Sequence, residues 1–459
     1  MKHFLPHFIQ ENYRNGILHG SLQACTMFVD LSGFTRLTES LMAKGPEGAE
    51  ELSDVLNHIF QPTVSLVYQQ GGFIPYFAGD SFTAIFPGER NEAGHIVATV
   101  RAILSRFSRE QKSADSILSE HNIGIKVGLS EGIVEWGIVG QRRKGYYFQG
   151  APIDGCSQAQ TRANSLEAVA DIHFLRLLNP SHYEATSLGE GFFSLNLDQE
   201  QGNLLTQEMP ALPTPDPEVT AAFLPKEIID SLPAGEFRNV VSVFISFDGI
   251  RTHESLDHFA SIVLDQSENF GGYFKEIDFG DKGGVMFCLF GAPVAFENNT
   301  ERALEFIAAV RDDLSQLTDL TGARYRVGMA SGQAFTGVIG SKERCQYAAV
   351  GARVNLGARL MMQADWGEVL SDENVSRNRN FKFSYRGDGY FKGFENKLPT
   401  YMLTGRNLAG KASFAGDCYG RSSELEKLTV FAQPLHENKF AGVAYIFGEA
   451  GIGKSRLSY

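Results

Sequence analysis

Apolar positions along this chain come in two rhythms, and the alternation between them occurs twice. Dense runs rich in Val, Ile and Phe (ACTMFVDL, VVSVFISF) have the length and composition of buried strands. Each run is followed by a stretch with apolar residues three and four apart: EELSDVLNHIFQPTVSLVYQQ after the first, ESLDHFASIVLDQSENF after the second. That spacing predicts an amphipathic helix. Each helix ends at a GlyGly pair, residues 71–72 and 271–272, which opens a hairpin (GGFIPYFAGDSFTAIF; GGYFKEIDFGDKGGVMFCLF). A second helix, a further strand and another hairpin complete each unit. Strand–helix–strand–strand–helix–strand is the ferredoxin-like order, so we expect an α+β fold with an antiparallel sheet backed by helices.

The two units are copies. IKVGLSEG (125–132) returns as YRVGMASG (325–332), GIVG (137–140) as GVIG (337–340), and FQGAPID (148–154) as AVGARVN (349–355). The lag is near 200 residues but widens to about 216 at the first strand, where MFVDLSGFT (27–35) is echoed by VFISFDGIR (243–251). The first copy therefore carries about 16 extra residues ahead of its GlyGly. The expected organisation is an N-terminal segment 1–20, a first domain 21–200, a linker 201–234, a second domain 235–405 and a further segment 406–459. The linker reading rests on the proline-rich, polar run TQEMPALPTPDPEVTAAFLP.

Composition narrows the function classes. The net charge of -13 argues against nucleic acid and against a polybasic membrane contact, both of which need a basic face. No run of about 18 apolar residues is present, so no membrane span is expected. The N-terminal residues do not have the pattern of a signal peptide. Five scattered cysteines with no CxxC pair suggest neither zinc nor a disulfide framework, and a reducing, cytoplasmic setting fits.

Chemistry concentrates at two acids of the first copy. FVDLSGFT puts Asp30 at the end of an apolar strand before a turn at Gly33, and FAGDSF puts Asp80 at a hairpin tip after Gly79. Either residue alone suits an ordinary turn aspartate. Together, on neighbouring strands, they suit Mg²⁺, which takes one or two carboxylates plus substrate phosphates. Backbone N–H groups around Ser32, Gly33, Phe34 and Thr35, at the start of the next helix, form a candidate phosphate cradle. The second copy differs: Ser246 stands where the first has Asp30. It gains Asn355 and Arg359, four apart on one helix face, where the first copy has Asp154 and Gln158. An exposed arginine and a capping asparagine would produce the same letters.

FVDLSGFT and FAGDSF resemble the metal-binding motifs of class III nucleotidyl cyclases, and the tandem layout resembles the soluble, bicarbonate-responsive adenylyl cyclases. The resemblance implies two homologous cyclase domains paired as a pseudo-dimer, with one ATP site shared between them. It implies two divalent ions, Mg²⁺ or Mn²⁺, at Asp30, Leu31 and Asp80, and conversion of ATP to 3′,5′-cyclic AMP and pyrophosphate. Asn355 would orient the ribose, Arg359 would stabilise transition-state charge, Lys282 in GDKGG would meet the adenine, and Lys392 in YFKGFENKLPTYML would meet the triphosphate. The same letters at Lys282 suit a lysine in a glycine turn, and the spacing after Lys392 is one residue longer than the motif's. Three positions depart from the pattern. Ala348 stands where an adenine-amino acceptor is expected, and Tyr76 and Ser157 stand where the bicarbonate-responsive members carry a lysine and an arginine.

Two alternatives remain open. A catalytically weak nucleotide-sensing pseudo-cyclase is favoured by Ala348. A P-loop NTPase is suggested by VAYIFGEAGIGKSRLSY, which fits G-x-x-x-x-G-K-S from Gly448 through Gly453 and Lys454 to Ser455. Too few residues follow for the rest of that fold, so the segment reads as the start of a regulatory module of a longer protein, with a P-loop nonfunctional here.

Overall fold

A computed structural model describes residues 2–88, 93–113, 116–179, 181, 183–197, 211–231, 235–280, 283–316, 322–392, 394, 396–407, 420–437, 439–447 and 457. The chain forms two compact units, one of residues 1–378 and 383–403, the other of residues 379–382 and 404–459. In the second unit the helix Ser422–Ala432 buries none of its side chains. Residues 448–456, the P-loop motif, lie outside the described residues, and so does Lys282.

The larger unit holds two sheets of identical strand order. The first contains β1 (His19–Ser32), β2 (Phe77–Ala78), β3 (Ser81–Pro87), β4 (Gly124–Val139), β5 (Gly145–Gln149), β6 (Glu167–Asp171), β7 (Glu184–Gly189) and β8 (Phe192–Asn196). The second contains β9 (Glu236–Asp248), β10 (Tyr273–Gly280), β11 (Gly283–Phe290), β12 (Arg324–Gly340), β13 (Cys345–Val350), β14 (Val369–Asp372), β15 (Phe381–Gly389) and β16 (Leu398–Arg406). The orders are β2-β3-β1-β4-β6-β8-β7, with β5 on β4, and β10-β11-β9-β12-β14-β16-β15, with β13 on β12. The first four strands of each order are the expected ferredoxin-like arrangement.

The expectation of an antiparallel sheet needs correction. β4 and β6 run parallel, as do β12 and β14. The helices Ala151–Arg162 and Ala352–Gln363 carry the chain back across the sheet before β6 and β14, and such a crossover returns a strand in the same direction.

The residues account for their elements. In the helix Pro46–Gln69, Leu52, Val55, Leu56, Ile59, Phe60, Val64 and Val67 are buried at three- and four-residue spacing, and Pro46 occupies the first turn, where its missing N–H costs nothing. Pro62 lies inside that helix and has no N–H for the carbonyl of His58, four residues back. Arg106 fills the gap, its Nη2 donating to the His58 oxygen at 3.0 Å. The 16-residue excess of the first copy becomes a separate helix, Phe34–Met42, placed before the long one; the second copy has only His253–Asn269 in that interval. The linker region carries two short helices, Pro217–Phe223 and Lys226–Ser231, and the N-terminal segment forms the helix His7–Arg14.

The two copies share apolar interior. The first core continues into Phe335, Ile339, Ala348 and Val350 of the second copy. Beside it lies Arg344, fully buried. Its guanidinium donates to the carbonyls of Phe4, Ile74, Pro75 and Cys345 and to the Tyr146 hydroxyl, joining the N-terminal segment to both copies. In the basic turn Arg142–Lys144, Arg143 pairs with Glu268 of the second copy at 2.9 Å. Among the described residues no helix is long and apolar enough to cross a membrane, and the four described cysteines are buried and form no disulfide.

Candidate active site

Strand register brings the two acids together. Asp30 sits opposite Ser81 in the β1–β3 pair, so Asp80 is one residue from its partner position. The Leu31 N–H donates to the Asp80 carbonyl at 3.2 Å, fixing the hairpin tip against the end of β1. Burial pushes the Asp30 carboxyl up to about 6, against the pull of Lys126, Lys392 and a hydrogen bond from Gln160. Asp80 is pushed up to about 7, by burial first and then by the neighbouring Asp30 charge. Two half-buried carboxylates, Asp80 raised further by the charge of Asp30, form a donor set that fits a divalent cation. Among the described residues no cluster of three or more acid, His or Cys side chains forms a metal cage, so any ion here would keep open positions for phosphate and water.

Gly33 takes φ +87, and a Cβ there would lie 2.8 Å from the Asn122 carbonyl. Only glycine fits without a shift. This turn starts the helix Phe34–Met42 directly after β1, leaving its first N–H groups without intrahelical partners. Phe34 is buried against the pocket; nothing is described of the Thr35 side chain.

A pocket of about 230 Å³ opens between the copies. From the first it is lined by Phe28, Phe34, Asp80 and Ser157, among others, and from the second by Lys275, Glu276, Asp278 and Asn355. Asn355 reaches it from the first turn of the helix Ala352–Gln363 and is exposed. Arg359, one turn on, donates from Nη1 to the main-chain carbonyl of Lys392. The Lys392 ammonium is near enough to lower both Asp30 and Asp80. Of the sequence-predicted residues, Phe34 and Asp80 from the first copy and Asn355 from the second line this pocket; Asp30 lies beside Asp80 by strand register, and Arg359 meets Lys392.

The opposite end of the pocket escaped the sequence reading. Lys275 and Glu276 have side-chain exposures of only 2% and 10%, and their charged ends lie 2.5 Å apart. Lys275 also donates to the Phe77 carbonyl at 2.9 Å, and Gln346 donates to Glu276 at 3.1 Å. Counting from the GlyGly pairs would have found the position: Tyr76 follows the first by four residues and Glu276 the second by four. The structural pairing agrees, since Phe77 opposes Phe82 as Ile277 opposes Met286. Ala348 is buried and offers no side-chain acceptor. Tyr76 donates its hydroxyl to Asp278 at 2.6 Å, so that place holds a committed phenol rather than a cation.

The chain belongs to the adenylate and guanylate cyclase catalytic domain family, whose model matches residues 19–196 and 282–405, more than half of the sequence. Adenylate cyclase type 10 of Oryctolagus cuniculus is 24% identical over 99% of this chain and 31% of its own length. The Homo sapiens protein of the same description is 24% identical, with the same coverage. The chain thus spans about a third of the length of these relatives. Among solved structures, a class III adenylyl cyclase-like ATP-binding protein from Pseudomonas aeruginosa aligns with a TM-score of 0.56, at 11% identity, over 78% of this chain and 85% of its own. That likeness establishes the paired two-domain fold.

Proposed function

We propose that this region is an adenylyl cyclase, converting ATP to 3′,5′-cyclic AMP and pyrophosphate at the cleft between its two cyclase domains. The observation that carries the reading is the division of labour around one pocket, lined by Asp80 from the first copy and Asn355 from the second, with Asp30 beside Asp80 and Arg359 one helical turn beyond Asn355. Asp30 and Asp80, with Leu31 between the motifs, would hold two Mg²⁺ or Mn²⁺ ions. Such ions supply Lewis-acid stabilisation of the phosphate charge.

The chain's own groups do the rest. Asn355 holds the ribose so that its 3′-oxygen faces the α-phosphate. The O3′–Pα bond forms as the bond from Pα to the bridging oxygen breaks and pyrophosphate leaves. The 3′ proton is released to solvent as the bond forms, and Gln160 donates to Asp30 Oδ2 at 2.7 Å, holding that carboxylate in place beside Asp80. Arg359 and Lys392 meet the charge that builds on the phosphates, and the free N–H groups at the start of the helix Phe34–Met42 add to this. Lys275 donates to adenine N1 while Glu276 accepts from the 6-amino group, which supplies the acceptor that Ala348 lacks. Lys282 is the competing candidate for the base contact. The domain bounds 21–200 and 235–405 delimit the two halves, and 406–459 is apart from them.

A second reading, a catalytically weak nucleotide sensor, is favoured by one observation: Lys275 and Glu276 already satisfy each other. The test incubates the purified chain with ATP, and separately with GTP, in Mg²⁺ or Mn²⁺, and measures cyclic nucleotide and nucleotide binding. ATP binding without product under either metal rejects the cyclase and leaves the sensor.

A further inference from the structure

An aspartate closes the strand after the crossover helix in both copies, Asp171 on β6 and Asp372 on β14, and the function above uses neither. Each caps the short helix that follows, accepting from the N–H three residues on: Phe174 at 2.9 Å and Val375 at 3.0 Å. Their remaining partners differ. In the first copy Asp171 Oδ2 accepts from the Ser130 hydroxyl of β4. The repeat IKVGLSEG/YRVGMASG puts Ala330 at that place in the second copy, so this donor is gone. Arg353 replaces it, with Nη1 donating to Asp372 Oδ2 at 3.3 Å. The repeat FQGAPID/AVGARVN sets Pro152 against Arg353, so the cation belongs to the second copy alone.

Arg353 and Asn355 share the first turn of the helix Ala352–Gln363. Gly351 precedes that helix and gives it no side-chain cap, so the turn is held from outside. One hold is common to both copies: the Ser242 hydroxyl donates to the Arg353 carbonyl at 3.4 Å, as Thr26 does to Pro152 at 2.7 Å. The tie to Asp372 is the second copy's own. Gly332 makes room for it, since a Cβ there would lie 2.7 Å from Arg353 Cγ, and the guanidinium lies over the Phe394 ring. The Asp372 side chain is only 3% exposed. Burial pushes its carboxyl up to about 6, against the pull of the Val375 and Ser331 N–H groups and of Arg353. Such an acid holds its cation firmly, because separating the two leaves an unpaired charge in the interior.

We infer that Arg353 is a positioning residue: its pairing with Asp372 fixes the first turn of this helix so that Asn355 meets the ribose in the reacting geometry. The inference rests on the reading of Asn355 as the ribose contact. On that reading the base and the phosphates supply most of the ATP binding, so a loosened turn lowers kcat and leaves affinity nearly unchanged. Misplacing a substrate-positioning group by an ångström costs up to about a hundredfold in rate, and a loss of roughly tenfold is expected from one lost tie.

The experiment measures cyclic AMP formation and ATP binding by the full chain in Mn²⁺. Arg353→Met lowers kcat roughly tenfold while ATP affinity stays within about twofold of the parent's. Arg353→Lys, which keeps the charge, restores most of kcat. Asp372→Asn keeps an oxygen for the Val375 N–H but loses the charge, and lowers kcat as Arg353→Met does; it provides the same comparison should Arg353→Met lose its circular dichroism signature. In an Asn355→Ala background Arg353→Met has no further effect, because the residue it acts through is already gone. A merely structural role would lower kcat in both backgrounds. If the parent makes no cyclic AMP, or Asn355→Ala turns over as fast as the parent, the reading of the site fails and this inference with it. If Asn355→Ala is slow while Arg353→Met matches the parent, or if the two losses multiply, the ribose reading stands and the role of Arg353 is overturned.

Discussion

Replacing Asp80 with Asn should stabilise the metal-free protein while removing its metal-dependent activity. In the folded state the Asp80 carboxyl is raised from 3.8 to about 7, first by burial and then by repulsion from Asp30. A carboxyl raised in this way keeps its proton in the folded state over a pH range in which the unfolded chain has released it. The folded state then binds more protons, so metal-free stability falls as pH climbs from about 4 to about 7. Every tenfold gain in proton affinity is worth about 1.4 kcal/mol, and roughly three such steps cap the effect near 4 kcal/mol. Part of that is shared with Asp30, so about 2 kcal/mol is expected from this one residue. The assay is urea denaturation of parent and variant in EDTA, near pH 5 and near pH 8. Subtracting one protein from the other removes the titration of groups they share. The variant should gain about 2 kcal/mol relative to the parent between the two pH values. Adding Mn²⁺ near pH 8 should stabilise the parent and leave the variant nearly unchanged. A difference that does not move with pH would refute the claim that these carboxylates are held together at a cost in stability.

Other outcomes follow from named contacts. Gly33→Ala places a Cβ 2.8 Å from the Asn122 carbonyl at φ +87, and should cost about 1–3 kcal/mol and weaken ATP binding, read by thermal melting and calorimetry. Arg359→Ala should lower kcat by roughly 10²–10³ with little change in ATP affinity, because its charge is needed mainly in the transition state; a pure KM effect would contradict that role. Glu276→Gln should reduce discrimination between ATP and GTP, while Lys282→Ala should leave it intact; the reverse pattern moves base recognition to Lys282. Arg344→Met leaves the carbonyls of Phe4, Ile74 and Pro75 without a buried donor and should destabilise the larger unit by about 3 kcal/mol in denaturant melts.

Hydrophobic rhythm and repetition determined a good deal without any coordinates. Periodicity depends only on local backbone geometry, so the strands around Asp30 and Ser246 and the helices ending at the GlyGly pairs were legible. The repeat, read residue against residue, exposed the loss of the acid at Ser246 and the gain of Asn355 and Arg359. What stayed hidden depends on neighbours distant in sequence. The parallel pairing of β4 with β6 follows from where a crossover helix returns the chain. Lys275 and Glu276 look like surface charges in the string YFKEIDF, and only the packing of the copies buries them beside Phe77 and Gln346. Lys126 reads as an ordinary strand lysine until register sets it across from Asp30. Charge and hydrogen bonding act through space, so the sequence determines which groups are available, and tertiary packing decides which of them face one another.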